Sequence, residues 1–151
     1  MERDQEYVLR TVEERGVRLI RLWFTDVLGQ LKSVAITPAE LEQAFEEGVQ
    51  FDGTAIDGFS RVHESDVLAR PDARSFELLP WAKRDEPSAR MFCDIQNLDE
   101  SPFEGYPRQV LRRNLEEARA NGYTHVINYR TENFVERVRE ITNGQGLSLI
   151  H

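Results

Sequence analysis

The residues best suited to chemistry lie in the stretch 49–59, which reads VQFDGTAIDGF and holds two aspartates, a threonine and two glycines between apolar residues. Two interpretations stay open. In one, the glycines reverse the chain while Asp52 and Asp57 accept hydrogen bonds from nearby backbone amides. In the other, Asp52 lies on an exposed loop held by Phe51 and Ile56, where a carboxylate can meet a cation or accept a proton.

Two other places carry residue types that could bind a metal or react. His63, Glu64 and Asp66 in RVHESD are metal-ligand types, but their spacing does not place them on one face of a helix or strand. We therefore predict no metal site there. Cys93 is the only cysteine and stands in RMFCDI, which is typical of a strand. We predict a buried, unreactive thiol, since no His or Lys near it in sequence would lower its pKa.

The composition narrows the class of partner. Acidic residues outnumber basic ones 27 to 19, which gives a net charge of -8, so we expect no nucleic acid and no anionic membrane surface as partner. No apolar run approaches the roughly 20 residues of a membrane span, and the charged first residues differ from a secretory signal. A cytoplasmic location is predicted. No GxxxxGK[ST], GxGxxG or GxSxG motif is present.

The elements that must position the 49–59 stretch can be predicted in order along the chain. Thr37 precedes Pro38 and is followed three residues later by Glu40, which is the pattern of a capped helix start. The first part of the chain is thus predicted to contain a helix at 4–15, a β-hairpin with its turn at 26–30 and its second strand at 31–36, and a helix from Pro38 to Gly48.

Short strands are predicted next at 66–69, 76–79 and 90–95, followed by a helix at 107–121 that ends at Gly122. A hairpin, packed helices and further short strands indicate an α+β domain with a curled mixed sheet. A strand at 124–128, a helix at 132–142 and a strand at 147–150 then give half of a βαβ pattern. The predicted organisation is a domain at 1–123 and a short α/β tail at 124–151.

Several stretches, in order, carry a resemblance to a known family: VRLIRLWFTDVLGQLKSVAIT, GVQFDGTAIDGF, HESDVLARPD, and MFCDI followed by SPFEGYPRQVLRR. Over about residues 8–123 the chain resembles the amino-terminal β-grasp domain of bacterial type I glutamine synthetase. The resemblance implies an ATP-dependent ligase that phosphorylates the γ-carboxylate of glutamate and then replaces phosphate with ammonia. It also implies active sites between the subunits of a ring-shaped dodecamer.

The resemblance assigns a role to the 49–59 stretch. Asp52 matches the aspartate that helps to bind ammonium and takes its proton, and Gly53, Thr54 and Ala55 match the latch loop around it. The chain departs from the family at Ala55, where many members have serine, so a hydroxyl contact would be missing. At Phe59 some members have tryptophan.

A second departure follows Tyr123. The family continues with a G-P-E-x-E strand whose glutamates ligate the catalytic metals, whereas this chain reads HVINYRTENF. The resemblance therefore implies no metal and no cofactor in this chain, with ATP and Mg²⁺ or Mn²⁺ belonging to the full-length family. About residues 124–146 resemble a cofactor-domain segment of quinone oxidoreductases of the medium-chain dehydrogenase type. There the tyrosine that matches Tyr129 lies beside the adenosine end of NADPH, but no glycine-rich turn precedes it here.

Three hypotheses result. The first is a glutamine synthetase β-grasp domain that supplies the ammonium-binding latch to a neighbouring subunit and is catalytically incomplete alone. The second is an interaction module that docks onto full-length synthetase or regulates it. The third, an NADPH-binding reductase fragment, rests on the tail alone. The expected partners are glutamine synthetase subunits or further copies of the chain, with ammonium at the latch in the assembly.

Overall fold

The structure of the chain, a computed structural model, describes residues 2–57, 66–122 and 133–144. The chain divides into two compact units, residues 1–110 and 111–151. Each unit is described by itself below. No helix in the described ranges is long and apolar enough to cross a membrane.

The first unit alternates helices and short strands. The helices are α1 (Arg3–Glu14), α2 (Leu41–Glu47), the short α3 (Thr54–Asp57) and the start of α4 (Pro107–Ala120), with 3-10 turns at Pro38–Glu40 and Ala73–Ser75. The strands are β1 (Leu19–Thr25), β2 (Leu31–Ile36), β3 (Val49–Asp52), β4 (Asp66–Pro71), β5 (Glu77–Leu78) and β6 (Ser88–Gln96).

The strands form one six-stranded mixed sheet in the order β2-β1-β6-β4-β3, with β5 also paired to β6. The β1–β6 pair is parallel, from Leu19 opposite Ser88 to Trp23 opposite Phe92. The other pairs are antiparallel. Pro71, the last residue of β4, has no backbone N–H to donate. The β3–β4 pairing ends at Ala69, so no hydrogen bond to β3 is lost at Pro71.

The sheet curls so that its two ends meet. Strands β6 and β4 separate β1 from β3 in the sheet order, yet the rings of Phe24 on β1 and Phe51 on β3 lie with centroids 4.9 Å apart. A flat sheet would hold two such strands about three strand spacings apart. The predicted α+β class with a curled mixed sheet is confirmed.

Helices α1 and α2 pack against this sheet and share its hydrophobic core. Helix α1 buries Val8 and Val12, α2 buries Leu41 and Phe45, and every second residue of β6 is buried. The predicted capping pattern is present before α2, where the backbone N–H and the hydroxyl of Thr37 both donate to Glu40 Oε2, at 2.8 and 2.7 Å. The first of these bonds satisfies a backbone N–H at the helix start that has no partner within the helix.

Cys93 lies on β6 with no exposed surface. Burial raises the pKa of its thiol far above the ordinary value. Its carbonyl accepts a hydrogen bond of 2.9 Å from the hydroxyl of Tyr106, whose own pKa burial raises to about 12. The prediction of a buried cysteine in a strand is confirmed, and the raised pKa of its thiol agrees with the prediction that it is unreactive.

The structure differs from the predicted elements in three places. Residues 49–57, predicted as a loop, contain β3 and α3. The strand predicted at 76–79 is reduced to Glu77–Leu78, and the strand predicted at 90–95 extends over Ser88–Gln96. Strand β3 has only four residues and exists through its pairing with β4, a distant partner that local periodicity does not reveal.

In the second unit the described residues include the rest of α4 and helix α5 (Phe134–Ile141). Asn133 caps α5, since its side-chain oxygen accepts from the backbone N–H groups of Val135 and Glu136 at 3.1 and 3.3 Å. The predicted helices at 107–121 and 132–142 are confirmed within two residues at each end. The strands predicted at 124–128 and 147–150 lie outside the described residues.

Candidate functional site

Asp52 is the last residue of β3 and its side chain is exposed. The backbone N–H of Thr54 donates to its Oδ1 at 2.9 Å, and the N–H of Ile56 donates to the carbonyl of Gly53 at 3.0 Å. These two bonds close a tight loop directly after the carboxylate. Thr54 is exposed, whereas Gly53 is buried, so the loop presents its polar side chains outward.

Hydrogen bonding further stabilises the ionised form of the Asp52 carboxylate. The bond from the Thr54 backbone, followed by one from the Thr54 side chain, lowers the pKa of Asp52 below its ordinary value, because both stabilise the charged form. The group is therefore anionic throughout the neutral range.

Asp52 therefore accepts a hydrogen bond from a nearby backbone amide, as the first interpretation of the 49–59 stretch predicts. This feature alone does not distinguish Asp52 from other aspartates of the chain. Asp99, in the loop after β6, accepts from the backbone N–H of Ser101 at 3.0 Å in the same two-residue pattern. Hydrogen bonds from Ser101 likewise lower the pKa of Asp99. What distinguishes Asp52 is the way in which its loop is fixed to the sheet.

Apolar contacts fix the loop on both sides of Asp52. Phe51 stacks against the buried Phe24, and Ile56 is fully buried in the core. The expectation that Phe51 and Ile56 hold the loop agrees with these contacts. A buried isoleucine contributes about 2 kcal/mol or more to such anchoring.

Polar contacts tie the same loop to the β1–β2 turn. Lys32 Nζ donates to the carbonyl of Ala55 at 2.8 Å, and the backbone N–H of Val27 donates to the carbonyl of Ile56 at 3.1 Å. These bonds join segments that occupy opposite ends of the curled sheet.

Lys32 is in turn held by Asp26, with 3.1 Å between Nζ and Oδ2. Asp26 is only 3% exposed, and its Oδ1 accepts from the backbone N–H groups of Leu28 and Gln30 at 3.0 and 2.8 Å. The bond from Gln30 is the main cause of a lowered pKa at Asp26, with Lys32 contributing. A buried carboxylate that is satisfied in this way remains charged.

Our sequence predictions did not include Lys32 or assign Asp26 a role beyond the turn. A signal was available: Lys32 alternates with Val34 and Ile36 on the more buried face of β2, where an unpaired charge is costly. The chain contains only two lysines, Lys32 and Lys83. A lysine at an inward strand position indicates a specific acceptor.

The remaining predicted site residues are less informative. Asp66 begins β4 opposite Asp52 and accepts a hydrogen bond from the side chain of Gln50. Within the described ranges no three His, Cys, Asp or Glu side chains are grouped so as to hold a metal ion. His63, Glu64, the Asp57 side chain, Phe59 and Tyr129 lie outside the described residues.

A second charged cluster braces the start of α4. Arg108 places Nη2 2.7 Å from Asp72 Oδ2 and Nη1 3.2 Å from Asp94 Oδ1. Asp72 also pairs with Arg74 and accepts from its backbone N–H. The cluster joins α4 to β6 and to the segment after β4.

A family model for the glutamine synthetase β-grasp domain matches residues 16–98. Glutamine synthetase from Mycolicibacterium smegmatis is 57% identical over 137 residues, which cover 89% of this chain and 31% of that protein. Glutamine synthetase from Thermotoga maritima is 43% identical over 135 residues, again 89% of this chain and 31% of the relative. The chain thus spans about a third of the length of these relatives.

Solved structures agree with the fold. A structure titled as a complex of GmaS with ADP has a TM-score of 0.64 at 25% identity and covers 75% of this chain and 25% of that one. GmaS without ligand gives a TM-score of 0.66 at 24% identity over 76% of this chain and 26% of that one. The second likeness concerns the fold alone.

The comparisons do not support the resemblance of residues 124–146 to quinone oxidoreductase. The alignment with the Mycolicibacterium smegmatis enzyme covers 89% of the chain, so it extends beyond residue 123 wherever it begins. Similarity to glutamine synthetase therefore reaches into the segment that we predicted to be foreign, and the comparisons give the NADPH hypothesis no support. By the extent of its match to the β-grasp model and its identity to these enzymes, the chain belongs to the glutamine synthetase family.

Proposed function

We propose that this chain supplies the ammonium-binding latch of a glutamine synthetase, with Asp52 as the residue that meets the ammonium ion in an active site completed by a neighbouring subunit. The observation that carries the proposal is the exposed, ionised Asp52 carboxylate on a loop fixed at Phe51, Ala55 and Ile56. A charged group held in this way is pre-organised for a cation.

The chemistry asked of Asp52 has two steps. The carboxylate first attracts ammonium by charge, an interaction that strengthens as water is excluded. When a neighbouring subunit covers the loop, desolvation opposes the bonds from Thr54 and raises the pKa of Asp52. The carboxylate can then accept a proton from ammonium and leave neutral ammonia to attack the activated glutamate.

The surface beside the latch supports a neighbouring subunit. Val27, Leu28 and Leu31, on the turn that holds the loop and at the start of β2, are 42, 63 and 54% exposed. Exposed apolar side chains grouped at one end of a sheet are typical of a protein contact. ATP, the divalent metal ions and glutamate belong, in this proposal, to the other two thirds of the synthetase.

The same surface supports a second candidate function, in which the chain docks onto a full-length synthetase and regulates it. Both candidates predict association with synthetase subunits or self-association. They differ in whether the docked chain contributes Asp52 to a working site. A cytoplasmic location stays a prediction for both.

The γ-glutamyl transfer assay with Mn²⁺ and ADP tests the proposal. We expect no turnover by the 151-residue chain alone, because it spans only 31% of an active relative. We expect turnover by a hybrid enzyme in which residues 2–122 replace only the part of the Mycolicibacterium smegmatis synthetase that aligns with those residues. Turnover by the pure chain would contradict the claim that it is catalytically incomplete. A hybrid that assembles but stays inactive would contradict the claim that this chain supplies a working latch.

A further inference from the structure

We infer that Lys32, held in place by Asp26, is a positioning residue for the latch loop: it sets where Asp52 lies by binding the backbone of the residues that follow it. The inference rests on the proposed function and extends it to a residue outside the loop. Lys32 is 23 positions from Ala55 in sequence, so this link is purely tertiary.

The geometry gives Lys32 a defined place between two acceptors. Its ammonium group lies 2.8 Å from the Ala55 carbonyl and 3.1 Å from Asp26 Oδ2. A flexible lysine loses side-chain entropy when it is held at one acceptor. The ion pair with the buried Asp26 carboxylate offsets that loss. Asp26 is itself fixed by two backbone amides, so the chain of contacts runs from a rigid turn to the loop.

The bond to a carbonyl, rather than to a side chain, matters for positioning. Ala55 offers no side-chain hydroxyl, so a donor on β2 can hold this part of the loop only through the backbone. The nearby bond from Val27 N–H to the Ile56 carbonyl acts in the same direction. Together they fix two successive carbonyls of the loop against the β1–β2 turn.

Amide exchange on the 151-residue chain provides the first test. Lys32→Met removes the donor to Ala55 but keeps most of the apolar stem. We expect the amide protons of Ile56 and Val27 to exchange about tenfold faster in this variant, as befits the loss of one charge-assisted hydrogen bond. The amide protons of β6 should keep the rates of the parent chain.

Lys83→Met is the matched control, since Lys83 is the other lysine of the chain and is exposed; it should leave all these rates unchanged. Asp26→Asn gives a second variant in case Lys32→Met fails to fold. It keeps an oxygen for Leu28 and Gln30 but presents a neutral group to Lys32, and it should accelerate the same two amides by a smaller factor. Unchanged exchange at Ile56 and Val27, or equal acceleration throughout the sheet, overturns the inference.

Kinetics of the hybrid enzyme provide the second test. Lys32→Met should raise the KM for ammonium about tenfold and leave the KM for glutamate and the kcat at saturating ammonium within about threefold. Lys32→Arg, which keeps a cationic donor, should restore most of the ammonium affinity. A folded Lys32→Met hybrid with an unchanged KM for ammonium overturns the inference. If Asp52→Asn also left ammonium kinetics unchanged, the latch proposal would fail, while the exchange rates would still decide whether Lys32 holds the loop.

Discussion

Asp52→Asn in the hybrid enzyme is expected to lower kcat/KM for ammonium by about 100-fold or more, the usual range for loss of a positioned proton acceptor. The substitution keeps the shape of the side chain and an oxygen that can accept from the Thr54 N–H, so the loop stays closed. What disappears is the negative charge and the ability to take a proton. Steady-state glutamine synthesis at varied ammonium concentration measures the change.

Asp99→Asn is the matched control for this prediction. Asp99 is exposed, accepts from the residue two positions later as Asp52 does, and is not on the latch loop. Its replacement should leave kcat/KM for ammonium within about twofold of the parent value. Equal kinetics for the Asp52→Asn and Asp99→Asn hybrids would mean that Asp52 serves the turn alone, the first interpretation of the 49–59 stretch.

Arg108→Met is expected to lower the free energy of unfolding of the 151-residue chain by about 2 kcal/mol. This loss of stability is larger than that expected for an exposed ion pair and smaller than that for a buried ion pair left without one partner. An intermediate value is expected because the Arg108 side chain is 30% exposed and the Asp72 side chain is 11% exposed. The variant leaves Asp72 with Arg74, which is itself 75% exposed. Urea denaturation at pH 7 measures the difference, and Arg113→Met, an exposed arginine on the same helix, is the control.

The pH dependence gives this prediction a second readout. Burial alone would raise the pKa of Asp72, but the hydrogen bonds from Arg108 and then Arg74 outweigh it and hold the pKa below the ordinary value of 3.8. A lowered folded-state pKa contributes stability above the unfolded value and loses it as the pH falls through the folded value. The difference in the free energy of unfolding between the parent chain and Arg108→Met should therefore become smaller below about pH 4. If this difference in the free energy of unfolding did not change with pH, the loss of packing and not the loss of the ion pairs would explain the lower stability of the variant.

The elements that the sequence predicts well are those whose determinants are local. The Thr37–Glu40 cap lies within four residues, and the β1–β2 hairpin closes over a short turn, so spacing and residue type suffice. The parallel pairing of β1 with β6 is different, because Leu19 lies opposite Ser88 and the contact depends on everything folded between them. No local pattern encodes that register.

The same contrast applies to the site. Asp52 is visible in sequence because a carboxylate between glycine and apolar residues is a recognisable turn pattern. Lys32 acquires its role only when the sheet curls and brings the β1–β2 turn to Ala55. The short strand β3 was missed for a related reason: four residues between Gly48 and Gly53 are too few to show a strand pattern, and the strand depends on its pairing with β4.

Adding the 151-residue chain to the Asp52→Asn hybrid tests most directly whether Asp52 acts in the active site of a neighbouring subunit. The two proteins are unfolded together, refolded and separated by size, and ammonium-dependent glutamine synthesis is measured on the mixed assemblies. We predict that activity returns in proportion to the amount of chain incorporated, and that the chain carrying Asp52→Asn is incorporated without restoring it. Incorporation of the parent chain with no return of activity would contradict a latch supplied from one subunit to the next.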